Sequence, residues 1–329
     1  MRERQSLYCD SGALDFLSQN VPSGGVPDEV QRSRDSLWWS FFDMASRSIL
    51  HMDCSLQILY QKTQDSGFYK NLYKKHANGE CRLVFDNTAF PRKGEDLDTD
   101  DALQLSSVYF ITNDSESRSF TGKGVFSISP KTFFKQCRQL FDCDDRTPSF
   151  VKGDPANWNF LKKVETVFNS MVIADLYIHD NMDINLLRIL DILLPSTLDI
   201  DFHLTVFTYD QDRSVGEIYS RISSFLKERR PNLPVRLCVI KAQKSDFHSR
   251  NILTNQMRFT SDGGFDILTK KHGASHDYVA SKTADISIWH PFMSNKKIKA
   301  YNDALEDVRK LFDARGIHEG EFVNRLFSL

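Results

Sequence analysis

The sequence predicts an α/β protein, and three observations carry that reading. In the second half, apolar β-branched runs alternate with helical patterns at the spacing of strand–helix–strand units. The chain has 329 residues, 40% hydrophobic and 12% aromatic, enough to fill the cores of two domains. Gly 15 and Pro 10 fall below average usage, which excludes collagenous and low-complexity classes. The expected architecture is a C-terminal, mostly parallel sheet with flanking helices, preceded by a smaller mixed α+β domain.

Residues 1–35 are polar and turn-rich (Val21-Pro-Ser-Gly-Gly-Val-Pro27) and read as an N-terminal arm. Residues 36–150 form the mixed domain. A helix begins near Ser36, with helical pieces at Leu56–Tyr60 and Phe68–Tyr73 and strands at Cys81–Phe85 and Ser107–Thr112. The acidic stretch Arg92–Asp101 fits no Ca²⁺-loop spacing and reads as a solvated loop. Pro130–Phe141 reads as a helix with proline in its first turn. The boundary falls in the Asp-, Pro- and Gly-rich Cys143–Asn157 stretch, and residues 151–329 form the second domain.

Asn157–Phe168 has helical amphipathicity, and Ser170–Ile178 is apolar enough for a strand buried on both faces. Helices follow at Asp183–Leu194 and Ser214–Arg229, the latter with Ser214 and Glu217 at capping-box spacing. Strands are expected at Phe202–Thr208 and Val235–Ile240, then in short pieces at Asn251–Asn255, Met257–Thr260 and Ala284–Trp289. A helix at Ile298–Ala314 closes the pattern.

A formal net charge of −2 argues against a surface coated in cations, while leaving room for a local basic patch. The most apolar stretch, Ile184–Leu198, is broken by Asn185, Arg188, Asp191 and Pro195, short of the ~20 apolar residues a membrane span needs. No signal-peptide pattern opens the chain, and the six cysteines lack metal or disulfide-framework spacing, so the expected compartment is the cytoplasm. Phosphate-binding glycine motifs of the dinucleotide and P-loop kinds are missing, as are G-x-S-x-G and H-E-x-x-H. His272 and His276 stand four apart, but Gly273 weakens a helix there and no third ligand is specified. Neither a metal nor another cofactor is expected.

The stretch that carries chemistry is Ser245–Asn255, followed by Asp262-Gly-Gly-Phe265, just after the third strand. Open α/β sheets bind ligands beyond the carboxyl ends of their strands. His248 and Arg250, one residue apart, share a side of an extended segment. Asn255 supplies an amide, and Gly263 and Gly264 let backbone N–H groups approach a ligand. A guanidinium fork, a titratable nitrogen and a glycine turn suit a phosphoryl group. Asp175 and Tyr177, ending the first of these strands, are expected to line the same crevice. A buried aspartate needs a partner, and Arg250 is the natural one. The plainer alternative is that His248 anchors a loop while Arg250 pairs with Asp246 or Asp175.

The spacing H-x-R-x4-N at His248, Arg250 and Asn255 resembles the H-x-K-x4-D motif of the phospholipase D superfamily, with Asp262-Gly-Gly in the place of its glycine-containing turn. The strand–helix order from Ser170 to Asp266 is similar to one half of that fold. An H-x-R variant occurs in phospholipase-D-like modules of prokaryotic defence and mobile-element proteins. A eukaryotic relative is the C-terminal module of certain microtubule-interacting-and-transport proteins, a non-catalytic membrane- and phosphoinositide-binding module. The resemblance implies His248 as nucleophile or general acid, Arg250 as phosphate clamp and Asn255 where an aspartate orients the histidine. Arginine for lysine alters reach and gains a fork, and asparagine for aspartate removes the carboxylate that steadies an imidazolium. No other histidine begins an H-x-[KR], so a catalytic form requires a homodimer that pairs two copies of His248.

The function expected is therefore a phosphate-recognising interaction module on nucleic acid or another phosphodiester ligand, in a prokaryotic defence or mobile-element system with a protein partner from that system. The alternatives are a metal-independent phosphodiesterase or nuclease and a structural subunit.

Overall fold

A computed structural model describes residues 6–22, 28–85, 107–141, 148–209, 214–243, 245–246, 250–271, 278–291 and 294–327. The acidic stretch Arg92–Asp101 and the pair His272/His276 lie outside them. The chain divides into two compact units, Met1–Asp142 with Pro291–Lys299, and Cys143–His290 with Ala300–Leu329. The first cut falls after Asp142, ahead of the expected start of the second domain at Val151, and Pro291–Lys299 groups with the first unit.

In the first unit, β1 (Ser6–Cys9), β2 (Ile49–Met52), β3 (Arg82–Phe85), β4 (Ser107–Phe110) and β5 (Ser127–Ile128) form an all-parallel sheet in the order β3-β2-β1-β4-β5. The expected mixed α+β domain is thus a parallel α/β unit. The expected polar arm supplies its central strand, because Leu7 and Cys9 are fully buried there. Period-two alternation places Leu7, Leu50, Leu83 and Val108 in one register row on the core face, with Cys9, Met52, Phe85 and Phe110 in the next.

Helices α1 (Ser11–Gln19), α2 (Glu29–Arg47), α3 (Leu56–Asp65), α4 (Gly67–Ala77), α5 (Asp114–Gly122) and α6 (Phe133–Phe141) complete the unit. Side-chain caps satisfy first-turn N–H groups: Asp10 accepts from Ala13 N–H at 2.7 Å, and Asp28 from Gln31 N–H at 2.7 Å. The Asp28 cap starts α2 well before the expected Ser36. Phe41, Phe110 and Phe133 pack with ring centroids 5.2–5.5 Å apart and close the core beneath α2 and α6.

The second unit holds β6 (Ser149–Phe150), β7 (Ser170–Ala174), β8 (Phe202–Thr208), β9 (Val235–Lys241), β10 (Arg250–Thr254), β11 (Arg258–Ser261), β14 (Ala284–Trp289) and β15 (His318–Gly320) in one sheet. Its order is β15-β9-β8-β7-β10-β11-β14-β6. Only β7, β8 and β9 run parallel, and every other pairing is antiparallel. The sheet is therefore mixed, where a mostly parallel one was expected. The reason is local: Asn255, Gln256 and Met257 leave too little chain between β10 and β11 for a crossover, so the two close as a hairpin. β12 (Leu268–Lys270) and β13 (Tyr278–Ala280) form a separate ribbon.

β7 and β8 are buried at every residue, as their continuous apolar runs require. α7 (Leu186–Leu193) and α8 (Val215–Arg229) bury leucine and isoleucine stripes in the same core as β7–β9. The capping box at Ser214 and Glu217 is formed. Asn157–Phe168, expected as a helix, is only a short 3-10 turn at Asn159–Lys163, with Trp158 tied by its indole N–H to Ile184 O at 2.9 Å. Near the C-terminus, Asn324 donates to Thr205 Oγ1 at 3.0 Å, and Arg325 N–H donates to His203 Nδ1 at 3.1 Å. α9 (Asn295–Asp313) enters this unit from Ala300 onward, with Tyr301 donating to Thr254 O at 2.6 Å.

Five cysteines, Cys9, Cys54, Cys81, Cys137 and Cys238, are free and buried. Among the described residues, no helix is long and apolar enough to cross a membrane.

Candidate phosphate-recognition edge

The carboxyl end of β7 and the amino end of β10 meet, because the antiparallel register sets Asn251 against Ala174. Asp175, the next residue of the chain, is fully buried. Its carboxylate accepts from Tyr177 N–H at 3.0 Å and from Phe265 N–H at 2.5 Å. The Phe265 bond pins the Asp262–Asp266 turn to the strand end. Gly264 takes φ +90°, where a side chain is strained, and a Cβ there would lie 3.0 Å from Asp175 Oδ2 and 2.9 Å from Asp266 Oδ1. A Cβ on Gly263 would meet Ala284 Cβ at 2.7 Å. The two glycines let the turn close on Asp175. Ser261 Oγ donates to Gly264 O at 2.6 Å, and Asp285 N–H donates to Asp262 Oδ1 at 2.9 Å.

Arg250 opens β10 beside this turn, half-buried, and donates from Nη1 to Asp262 O at 3.4 Å. That is its one hydrogen bond among the described residues, so most of its five N–H donors stay available. The neighbouring Arg258 behaves differently. Its Nε donates to Asn251 Oδ1 at 2.9 Å, its Nη1 donates to Ala300 O at 2.6 Å, and the guanidinium lies 5.2 Å from the Trp289 ring centroid. Arg258 is spent on the fold; Arg250 is not.

Two expected partnerships of Arg250 are corrected. Asp175 takes backbone N–H groups in its place, and Asp246 accepts from Gln243 N–H at 2.7 Å, closing the loop after β9. Asn255 is corrected too. It is 3% exposed at the far end of β10, where its Oδ1 accepts from Asn169 N–H at 2.9 Å and Ser170 N–H at 3.3 Å. Five residue steps of extended chain, at ~3.3 Å each, separate it from Arg250, so it holds the start of β7 and does not join a phosphate site. His248 lies outside the described residues. Tyr177 is half-buried, its ring centroid 6.5 Å from that of Tyr209.

Sequence reasoning missed His179. It is buried beyond the carboxyl end of β7, with Nδ1 2.7 Å from Thr208 Oγ1 and Nε2 3.4 Å from Asp180 Oδ1. The signal was available: a histidine just past an apolar strand, in a chain whose ligand edge is expected there.

Burial pushes the Asp175 carboxyl up to about 6 from an ordinary 3.8, and the nearby Asp266 charge adds to the rise. Asp266 is paired in turn with Lys282 at 2.5 Å. A carboxyl raised in the folded state favours folding most below pH 3.8 and loses that contribution as pH climbs through 6. The full effect is about 3 kcal/mol. Melting curves of wild type and Asp175→Asn between pH 4 and 7.5 should therefore differ in slope across this window, with wild type alone losing stability toward neutral pH. Parallel curves would show that Asp175 titrates normally.

The first unit carries a second polar edge. The sheet order reverses beside β1, and open sheets bind ligands at such switch points. Asp10 follows β1, Asp53 follows β2, and Thr112 and Asp114 follow β4. Thr112 donates to Asp10 from its N–H at 2.7 Å and its hydroxyl at 2.6 Å. Ser11 N–H donates to Asp53 at 2.7 Å, and Ser129 Oγ donates to Asp114 at 2.8 Å. Among the described residues, no group of three or more His, Cys, Asp or Glu is arranged to hold a metal ion.

A groove of about 2030 Å³ runs over α7 and α8, floored by Trp158, Ile184, Leu187 and Phe225. Its arginines stand beside acids: Arg221 pairs with Asp183 at 2.5 Å, Arg188 with Asp191 at 2.9 Å and Arg229 with Glu228 at 3.7 Å, while Lys271 also lines it. It offers a phosphate no free guanidinium of the Arg250 kind.

Fold and site together define a two-unit α/β protein with a polar edge at the strand ends of each unit. Comparison with protein-family models and with curated proteins gave no match.

Proposed function

We propose that the protein is a phosphate-recognising module that binds nucleic acid, with Arg250 as the phosphate donor and the Gly263–Gly264 turn as the wall beside it. One observation carries this reading: Arg250 is held on a strand at a glycine turn, yet among the described residues makes a single long hydrogen bond, to a backbone carbonyl. A fold that needed the residue only for support would engage it as it engages Arg258. The part of the phospholipase-D-like likeness that remains, the H-x-R pair at His248 and Arg250, favours the same ligand class and a prokaryotic defence or mobile-element setting.

The test uses labelled single- and double-stranded DNA and RNA, in EDTA and in Mg²⁺, with retention and cleavage scored on one gel. Retention without cleavage is expected, weakening with salt by a log–log slope of ~0.7–0.9 per phosphate contacted. No retention of any nucleic acid would overturn the reading. Cleavage in EDTA would replace it with a metal-independent phosphodiesterase, a homodimer acting through His248. Cleavage that needs Mg²⁺ would overturn both the binding-module reading and the metal-independent one.

A further inference from the structure

We propose that the α3–α4 hairpin of the first unit is a docking surface for single-stranded nucleic acid, with bases stacking on Tyr60 and Tyr73 and phosphates passing Lys70 and Lys74. The inference rests on the nucleic-acid reading above but on different residues in a different unit.

The two helices share a short connection at Ser66, and across it the Tyr60 and Tyr73 rings sit 6.0 Å apart at 67°. Tyr60 is 54% exposed, far from the usual state of an aromatic that serves packing. α4 is an eleven-residue helix with Lys70, Lys74 and Lys75 and no acidic residue, in a chain whose net charge is −2. Lys75 is held by Glu80 at 3.3 Å. Lys70 and Lys74 are exposed, stand one helical turn apart on one face, and form no ion pair among the described residues. On α3, Lys62 is turned inward to Asp15.

An aromatic pair bordered by free cations matches the two needs of a single strand: π-faces for unstacked bases and positive charge along the backbone. A duplex hides its base faces and gains only the charge. A lipid surface calls for one continuous apolar face. Of the exposed apolar and aromatic residues of α3, Leu56 and Tyr60 share a face but Ile58 stands on another side of the helix, and the exposed Gln57 and Gln61 interrupt them.

The test is fluorescence anisotropy with labelled oligo-dT, oligo-rU and a DNA hairpin duplex, plus sedimentation with vesicles of phosphatidylserine and phosphatidylcholine. Tyr60→Ala should weaken single-strand binding about tenfold or more, and Tyr60→Phe should restore it, because stacking needs the ring and not the hydroxyl. Lys70→Glu with Lys74→Glu should lower the salt slope by roughly 1.4, at ~0.7 for each phosphate no longer neutralised. These side chains are exposed, so the melting temperature should hold.

Single-strand binding abolished by Arg250→Ala but untouched by the tyrosine and lysine changes would overturn this surface and leave the proposed function standing. Loss on the hairpin changes with Arg250→Ala neutral would do the reverse. Equal affinity for duplex, or vesicle binding abolished by the same lysine changes without nucleic-acid binding, would overturn it as well.

Discussion

Arg250→Ala is expected to weaken nucleic-acid binding by about 10- to 100-fold while moving the melting temperature very little. A hydrogen bond to a charged group contributes about 1.5–3 kcal/mol, and a guanidinium on phosphate forms two side by side. What the fold loses is one 3.4 Å bond to Asp262 O. Arg250→Lys should recover the charge but only part of the affinity, since an ammonium cannot present the fork. Arg258→Ala supplies the contrast. It breaks bonds to Asn251 and Ala300 and removes the cation from the Trp289 ring, so it should lower the melting temperature first. Filter binding and thermal melts of the three variants check the pattern. If Arg250→Ala melts far below wild type, the residue is structural and the phosphate site lies elsewhere.

The contrast between these two arginines was invisible in the sequence, and the reason is physical. Both sit at the edge of short apolar runs; what separates them is the partner set, which depends on how β10, β11 and α9 come together. The motif spacing misled for a related reason. H-x-R-x4-N counts residues along the chain, but the five-residue strand that opens with Arg250 carries the asparagine to its opposite end.

Where one local signal sufficed, the sequence read well. Ser214 and Glu217 cap α8 as their spacing predicts, and β8 and β14 fall on the expected bounds because apolar alternation or a continuous buried run defines them. The first unit was legible only in part: β3 and β4 lie within the expected strands, α3 and α4 cover the expected helical pieces, and α6 lies within its expected helix. β1, β2 and β5 are two to four residues long, too short for periodicity to register, and β1 lies inside a stretch of polar composition. Asp10, Asp53 and Asp114 become a recognisable edge only when the parallel order of those strands is known.

Gly264→Ala tests whether the turn beside Arg250 is built or incidental. Two costs add at this position. The φ of +90° disfavours any L side chain by about 1–3 kcal/mol, and the new methyl would press on the carboxylates of Asp175 and Asp266 at 3.0 and 2.9 Å. Neither carboxylate can retreat easily: Asp175 is fully buried and bonded to Tyr177 and Phe265, and Asp266 is paired with Lys282. The expected loss is roughly 2–4 kcal/mol, a fall of about 5–12 °C in the melting temperature of the second unit. Gly153→Ala isolates the backbone share, because Gly153 has φ +91° and nothing within 4 Å of where its methyl would stand. The excess of Gly264→Ala over Gly153→Ala measures the pressure on the carboxylates. Since the Asp262 carbonyl belongs to the same turn and holds Arg250, the substitution should also reduce nucleic-acid affinity at temperatures where the protein stays folded. Should the two alanine variants melt together and bind alike, the close approach of the turn to Asp175 contributes nothing, and the wall of the proposed phosphate site goes with it.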